Sequence, residues 1–233
     1  MNQSLQHAIS FEGITYSVFD VQDSQTVHFI YKDFLERHPF KDVGEPKTIL
    51  DIGAHVGIFT ILAAMKFPNA HIYAVEPHPV NLKNLLLGLD FHNLTNVTVL
   101  PVAIGDGSLV DLSMEFCNSG SSCEFKQNFK NYPEDWPMLR AKALSVTLDQ
   151  ILVATGPMDF VKCDIEGREF TAFREFTQWE KLGSLSIELH PYHNTDCAEM
   201  AKMTSSLFEG WLRERMGSRR VHVVHPDFPD TIL

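Results

Sequence analysis

No apolar run in this 233-residue sequence approaches the ~20 residues that span a bilayer. The N-terminal Met1-Asn-Gln-Ser-Leu-Gln-His also lacks the basic stretch and apolar core of a signal peptide. Together these absences predict a soluble, cytoplasmic protein. Cysteine is scarce: Cys117, Cys123, Cys163 and Cys197 show no C-x-x-C spacing, and in a cytosol they are expected to be free thiols. Cations are short as well, with 19 Lys and Arg against 30 Asp and Glu and a formal net charge of −11. Non-specific nucleic-acid affinity comes from Lys and Arg displacing counterions, so no nucleic-acid partner is expected. Finally, no Gly/Ser/Pro linker, internal repeat or low-complexity tract divides the chain. The length suffices for one sizeable core, which predicts a single α/β unit over residues 47–233, preceded by an N-terminal hairpin and helix over residues 1–46 that pack on it.

What is present alternates. Residues 8–22 hold two apolar stretches around Gly13 and predict a small hairpin. Gln25 to Arg37 carries Val27, Ile30, Tyr31, Phe34 and Leu35 at helical spacing. From Thr48 onward the pattern predicts strand 48–52, helix 57–66, strand 71–75, helix 79–91 and strand 97–101. That repetition implies parallel strands joined by right-handed helical crossovers. Further strands are expected over Val110 to Phe116, Phe160 to Cys163, Leu185 to Leu189 and Val221 to Val224, with a strand and helix over Leu144 to Leu152 and a helix over 197–215. Between Cys117 and Arg140 lies a polar stretch, too long for an ordinary connection, in which Phe125, Phe129, Tyr132 and Trp136 are spaced. It reads either as a lid over a bound substrate or as a surface insertion.

The most informative run is Thr48-Ile-Leu-Asp-Ile-Gly-Ala-His-Val-Gly-Ile-Phe-Thr60, followed by His71-Ile-Tyr-Ala-Val-Glu76-Pro77. Two buried strands each deliver a carboxylate near their C-terminal ends, with a glycine turn and a helix between them. Gly53 and Gly57 bracket a backbone that a ligand can approach closely, and the helix offers it unpaired N–H groups. A dinucleotide fingerprint needs G-x-G-x-x-G, whereas His55 stands where the middle glycine should be. The pyrophosphate reading therefore weakens, and with it a nicotinamide-dependent oxidoreductase. Asp51 and Glu76 remain, the latter nineteen residues past Gly57 and placed to accept ribose hydroxyls. A ligand with a ribose, an ammonium group and a positive sulfur, but no phosphate, suits two such carboxylates. S-adenosylmethionine (SAM) is one.

Asp51-Ile-Gly-Ala-His-Val-Gly57, Val75-Glu-Pro-His-Pro79 with Asn81, Asn93-Leu-Thr-Asn-Val97, Val102-Ala-Ile-Gly-Asp106 and Lys162-Cys-Asp-Ile-Glu-Gly-Arg-Glu169 resemble, in order, the motifs of FkbM-type SAM-dependent methyltransferases. The likeness runs from about Thr48 to His190, with two departures: His55 where the family usually has Asn, and Gly88 where its helix usually carries Asn. The resemblance implies a Rossmann-like class I methyltransferase fold, a mostly parallel seven-stranded-type sheet with helices on both faces. It also implies methylation of a hydroxyl on a small molecule, sugar or natural product. An N-methyltransferase acting on a peptide or amide is the alternative within the class, and a catalytically silent SAM- or partner-binding module the alternative outside it.

In an open α/β sheet, ligands bind beyond the carboxyl ends of the strands. The cofactor-binding candidates at that edge are Asp51, Gly53, His55, Gly57, Glu76 and Asp164. Lys162 and Asp164 share a face by the period-two rule, so one can neutralise the other. Asp164 is expected beside the methionine portion of the cofactor, Glu166 toward the substrate, and Glu188 and His190 at the end of the next strand. These four are the catalytic candidates, with His190 as general base for a hydroxyl and Glu188 orienting it or helping to hold the substrate. The bland reading of the same stretch is a Lys–Asp pair plus helix-start carboxylates at Glu166 and Glu169. Asp164, Glu166, Glu188, His190 and His193 also form a conceivable Mg²⁺ or Mn²⁺ set, but no compact ligand signature enforces it, and no metal is expected.

Overall fold

The computed structural model describes residues 4–20, 35, 40, 43–115, 138–189 and 205–224. Strands β1 (Leu5–Phe11) and β2 (Ile14–Asp20) form an antiparallel hairpin. Its turn residues Glu12 and Gly13 both have positive φ, 47° and 81°, the conformation whose twist matches that of paired strands.

The main body begins with β3 (Thr48–Ile52), α1 (Ile58–Lys66), β4 (His71–Val75), α2 (Pro79–Phe91) and β5 (Val97–Leu100). It continues through β6 (Ala103–Ile104), β7 (Leu109–Glu115), β8 (Met138–Val146), α3 (Leu148–Thr155), β9 (Met158–Cys163) and α4 (Glu169–Arg174). A 3-10 turn at Trp179–Lys181 leads to β10 (Leu182–Glu188), and α5 (Ser205–Met216) precedes β11 (Val221–Val224).

Six strands form one wholly parallel sheet in the order β11-β10-β9-β3-β4-β5. The chain runs outward from β3 through β5, then returns to the other side of β3 and runs outward again. The order therefore reverses between β3 and β9, and a ligand cleft is expected at their C-terminal ends. Period two explains the layering: Ile49 packs in one core with Ile61, Leu62, Ile72, Leu85 and Tyr16, whereas Leu50 and Ile52 pack in the other with Leu152, Val161, Phe173 and Leu212. The hairpin, α1 and α2 thus cover one face, and α3, α4 and α5 the other. Asp51 must point to the α1 face.

Six strands of the expected seven-stranded-type sheet are present among the described residues, and residues 225–233 lie outside them. A separate small sheet, β6-β8-β7, pairs β7 and β8 antiparallel. Strand β8 starts at Met138, inside the stretch read from sequence as insertion or lid, because Met138 and Arg140 pair with Glu115 and Ser113. The rest of that stretch, 117–137, lies outside the described residues, as do residues 197–204 and the predicted helix over Gln25 to Arg37 apart from Leu35, which is buried in the core.

Gly88, a poor helix residue worth about 1 kcal/mol less than Ala, sits where α2 meets α1: a Cβ there would lie 2.5 Å from Ile61 Cδ1.

Candidate active site

Three loops meet at the C-terminal edge of β3, β4 and β9. The first is the glycine turn. Gly53 N and Ala54 N both donate to Val75 O, at 3.0 and 2.9 Å, tying the turn to the end of β4. Gly53 has φ 82°, and a Cβ on it would fall 1.8 Å from Asp164 O. Only glycine fits, and the turn is thereby pressed against the loop after β9. Asp164 N completes the joint by donating to Ile52 O at 3.0 Å. Gly57, with φ 92°, is the N-cap of α1, which has no side-chain cap and no acidic residue in its first turn. Its leading N–H groups suit a carboxylate or another anionic group. His55 has φ 54°, a region where Asn, Asp and His are the enriched non-glycine residues, so His serves at this position as Asn would.

Glu76 organises the second loop. Its side chain is buried; Oε2 accepts from His55 N at 2.9 Å, and Oε1 accepts from His78 N at 2.7 Å and Asn81 Nδ2 at 3.3 Å. Burial pushes its pKa up, against the lowering influence of the His55 charge and of the hydrogen bonds from His78, His55 and Asn81. A carboxylate has about four lone-pair sites, and these three donors leave acceptor capacity for a ribose hydroxyl. Asn81 Oδ1, buried beside it, has no hydrogen-bond partner among the described residues. An unmet acceptor next to a carboxylate is the donor-seeking pair that a ribose would satisfy, so the residues present fit SAM. Nucleation of α2 helps to fix this pair: His78 caps the helix through Nδ1 accepting from Val80 N, and Pro79 opens it.

Asp51 is placed differently from the direct-ligand expectation. It has no exposed surface, and it faces the protein. Thr60 Oγ1 of α1 donates to its Oδ2 at 2.6 Å, and Lys162 Nζ, its cross-strand neighbour on β9, lies 3.2 Å from Oδ1. The same Nζ donates to Gly53 O at 2.8 Å. Burial alone would depress the Lys162 pKa, but the charges of Asp51 and Asp164 and the Asp51 hydrogen bond outweigh it and raise it. Asp51 and Lys162 therefore hold the carbonyl of the glycine turn.

The third loop, Asp164 to Gly167, contains two positive φ angles, 54° at Glu166 and 99° at Gly167. Buried Glu169 holds it: its carboxylate accepts from Ile165 N at 3.1 Å and from Gly167 N at 3.1 and 3.2 Å. Asp164 and Glu166 are half-buried, and Glu188, on the neighbouring β10, is buried. Gly53, His55, Gly57, Glu76 and Asp164 are brought together with Glu166 on the adjoining loop. His190 and His193 lie outside the described residues. Among the described residues no group of three or more His, Cys, Asp or Glu is arranged to hold a metal ion. Nor is any helix among them long and apolar enough to cross a membrane.

Sequence reasoning missed Thr60 and the loop-holding role of Glu169. Thr60 carried a usable signal, a lone hydroxyl on an otherwise apolar helix.

The family model described as "Methyltransferase FkbM domain" matches residues 51–219. "Methyltransferase 1" of Beauveria bassiana (strain ARSEF 2860) is 25% identical over 186 residues, covering 70% of this chain and 73% of that one. "Methyltransferase str3" of Strobilurus tenacellus is 32% identical over 77 residues, 33% of this chain and 28% of its own. The solved structure of M. jannaschii TYW2 in complex with AdoMet aligns with a TM-score of 0.32 at 20% identity, over 43% of this chain and 44% of that one. The chain thus spans most of the first relative and less than half of the other two.

Proposed function

The chain belongs to the methyltransferase FkbM domain family of SAM-dependent methyltransferases, and from that premise we propose that it transfers a methyl group to a hydroxyl oxygen of a small molecule, sugar or natural product. SAM, when bound, supplies a methyl carbon on a positively charged sulfur. Glu76 and Asn81 accept the ribose hydroxyls, and the uncapped first turn of α1, with Asp164, flanks the methionine portion. Asp51 acts through Lys162 on the Gly53 carbonyl. Glu166 and Glu188 face the acceptor as hydrogen-bond acceptors, which suits a molecule rich in hydroxyl donors. His190, two residues beyond Glu188 in the sequence, is the proposed base that takes the hydroxyl proton.

The observation that carries this reading is the joint between the glycine turn and the Asp164 loop, where there is room for a hydrogen atom but not for a methyl group. It supports a cofactor edge beside the carboxylates proposed to face the acceptor, and an in-line displacement needs acceptor, methyl carbon and sulfur held collinear at near-attack distance. The test is incubation with SAM and a panel of hydroxylated acceptors and amide-containing peptides. S-adenosylhomocysteine is followed by mass spectrometry and the methylated atom is located by NMR. A new O-methyl group supports the proposal. Methylation confined to nitrogen replaces it with the N-methyltransferase reading, and tighter binding of NAD than of SAM overturns both.

A further inference from the structure

We propose that the N-terminal hairpin is a working part of the cofactor site, with Tyr16 as a positioning residue for the first turn of α1. The inference rests on the reading of the glycine turn as the SAM-binding edge. The hairpin precedes the family match, which begins at residue 51, yet it reaches the centre of that edge. Tyr16 is 1% exposed, and its hydroxyl donates to Ile58 O at 2.9 Å. Ile58 is the first residue of α1 and follows Gly57 directly. Burial pushes the Tyr16 phenol well above its ordinary pKa, which favours the neutral, donating form.

That hydroxyl meets the backbone one residue past the Gly57 N-cap, which contributes no side chain and packs tightly, since a Cβ on Gly57 would meet Leu85 Cδ1 of α2 at 2.5 Å. Thr60 ties the same turn to Asp51 from the sheet, and the Tyr16 hydrogen bond adds a second polar restraint from the hairpin. The hairpin is itself fastened to α2, since Ser4 Oγ donates to Asn84 Oδ1 at 2.7 Å and Ser17 N donates to His92 Nε2 at 2.9 Å. Helix α2 starts just past Glu76, and α1 just past Gly57. One hairpin therefore bridges the two helices at whose N-terminal ends the proposed ribose and methionine contacts lie.

Tyr16→Phe in the full chain removes the hydroxyl and leaves the ring in the core. Calorimetric SAM titrations of this variant are compared with Ser10→Ala, which cuts an exposed 2.8 Å bond to Thr15 within the hairpin and touches neither helix, and with Glu76→Gln. Expected are SAM binding weakened by about 3- to 10-fold in Tyr16→Phe, unchanged binding in Ser10→Ala, and a larger loss in Glu76→Gln. SAM affinity within about two-fold of wild type in Tyr16→Phe, with Glu76→Gln impaired, overturns the positioning role. So does equal weakening in Ser10→Ala, which would mark general loosening of the hairpin. Intact binding in Glu76→Gln would instead overturn the cofactor reading and this inference with it. Hydrogen exchange on the wild type gives an answer without any variant: SAM should slow exchange in β2 as well as α1, and no change in β2 counts against the proposal.

Discussion

Lys162→Met tests how the glycine turn is held. The ammonium has 1% of its side chain exposed and faces Asp51 at 3.2 Å, with no exposed surface on that carboxylate. Removing Lys162 alone leaves Asp51 a buried charge with Thr60 as its remaining partner among the described residues, an imbalance that costs about 3–5 kcal/mol. The Gly53 carbonyl, which receives a 2.8 Å hydrogen bond from the same Nζ, loses its partner and adds about 1 kcal/mol. Against a total stability of about 5–15 kcal/mol for a domain, that loss is severe. In Asp51→Asn/Lys162→Met both charges disappear and Asn still accepts from Thr60, so most of the penalty is removed. The double variant should be more stable than the single by about 2 kcal/mol or more. Urea unfolding at neutral pH, followed by circular dichroism, measures both. A single variant that loses less than about 1 kcal/mol, or a double variant no more stable than the single, refutes the buried-pair argument.

SAM affinity should fall on acidification. The raised pKa of Glu76 means that protonation begins above the usual carboxylate range and removes the acceptor that the ribose needs. The same shift has the opposite sign for the free protein, because the folded chain binds this proton more readily than the unfolded chain, so acidification through that window favours folding; calorimetry and thermal melts across pH separate the two. Glu169→Ala should release the Ile165 and Gly167 N–H groups and lower the methylation rate more than SAM affinity, as steady-state kinetics would reveal. His190→Ala should slow methylation of a hydroxyl about 10²–10⁴-fold with SAM binding little changed, whereas a near wild-type rate would remove the base role.

The sheet and the first two crossover helices were legible because their signals are local. Thr48–Ile52 and His71–Val75 are short apolar runs, as buried parallel strands require, while Gly57 and Pro79 mark where the helices begin. The positions of Glu76 past a strand end and of Gly53 and Gly57 in a tight turn were legible for the same reason, since both leave a mark on adjacent residues. The orientation of Asp51 was not. Its partner Lys162 belongs to a strand that becomes a neighbour only through the sheet order, and Thr60 reaches it only because α1 folds back over β3. The start of β8 was hidden because Met138 to Arg140 follows a proline-punctuated polar stretch, and its strand character comes from pairing with β7. Glu169 read as a helix-start carboxylate, which it is; its grip on the preceding loop depends on the left-handed turn at Glu166, which no sequence pattern announces.

The most direct test of the central claim is a calorimetric titration of wild type and Glu76→Gln with SAM, with NAD as the competing ligand. The account predicts saturable SAM binding by the wild type. In the variant, losing a buried charge-assisted hydrogen bond of about 1.5–3 kcal/mol should weaken that binding by roughly 10- to 150-fold. Equal SAM affinity in the two proteins, or tighter wild-type binding of NAD than of SAM, would contradict it.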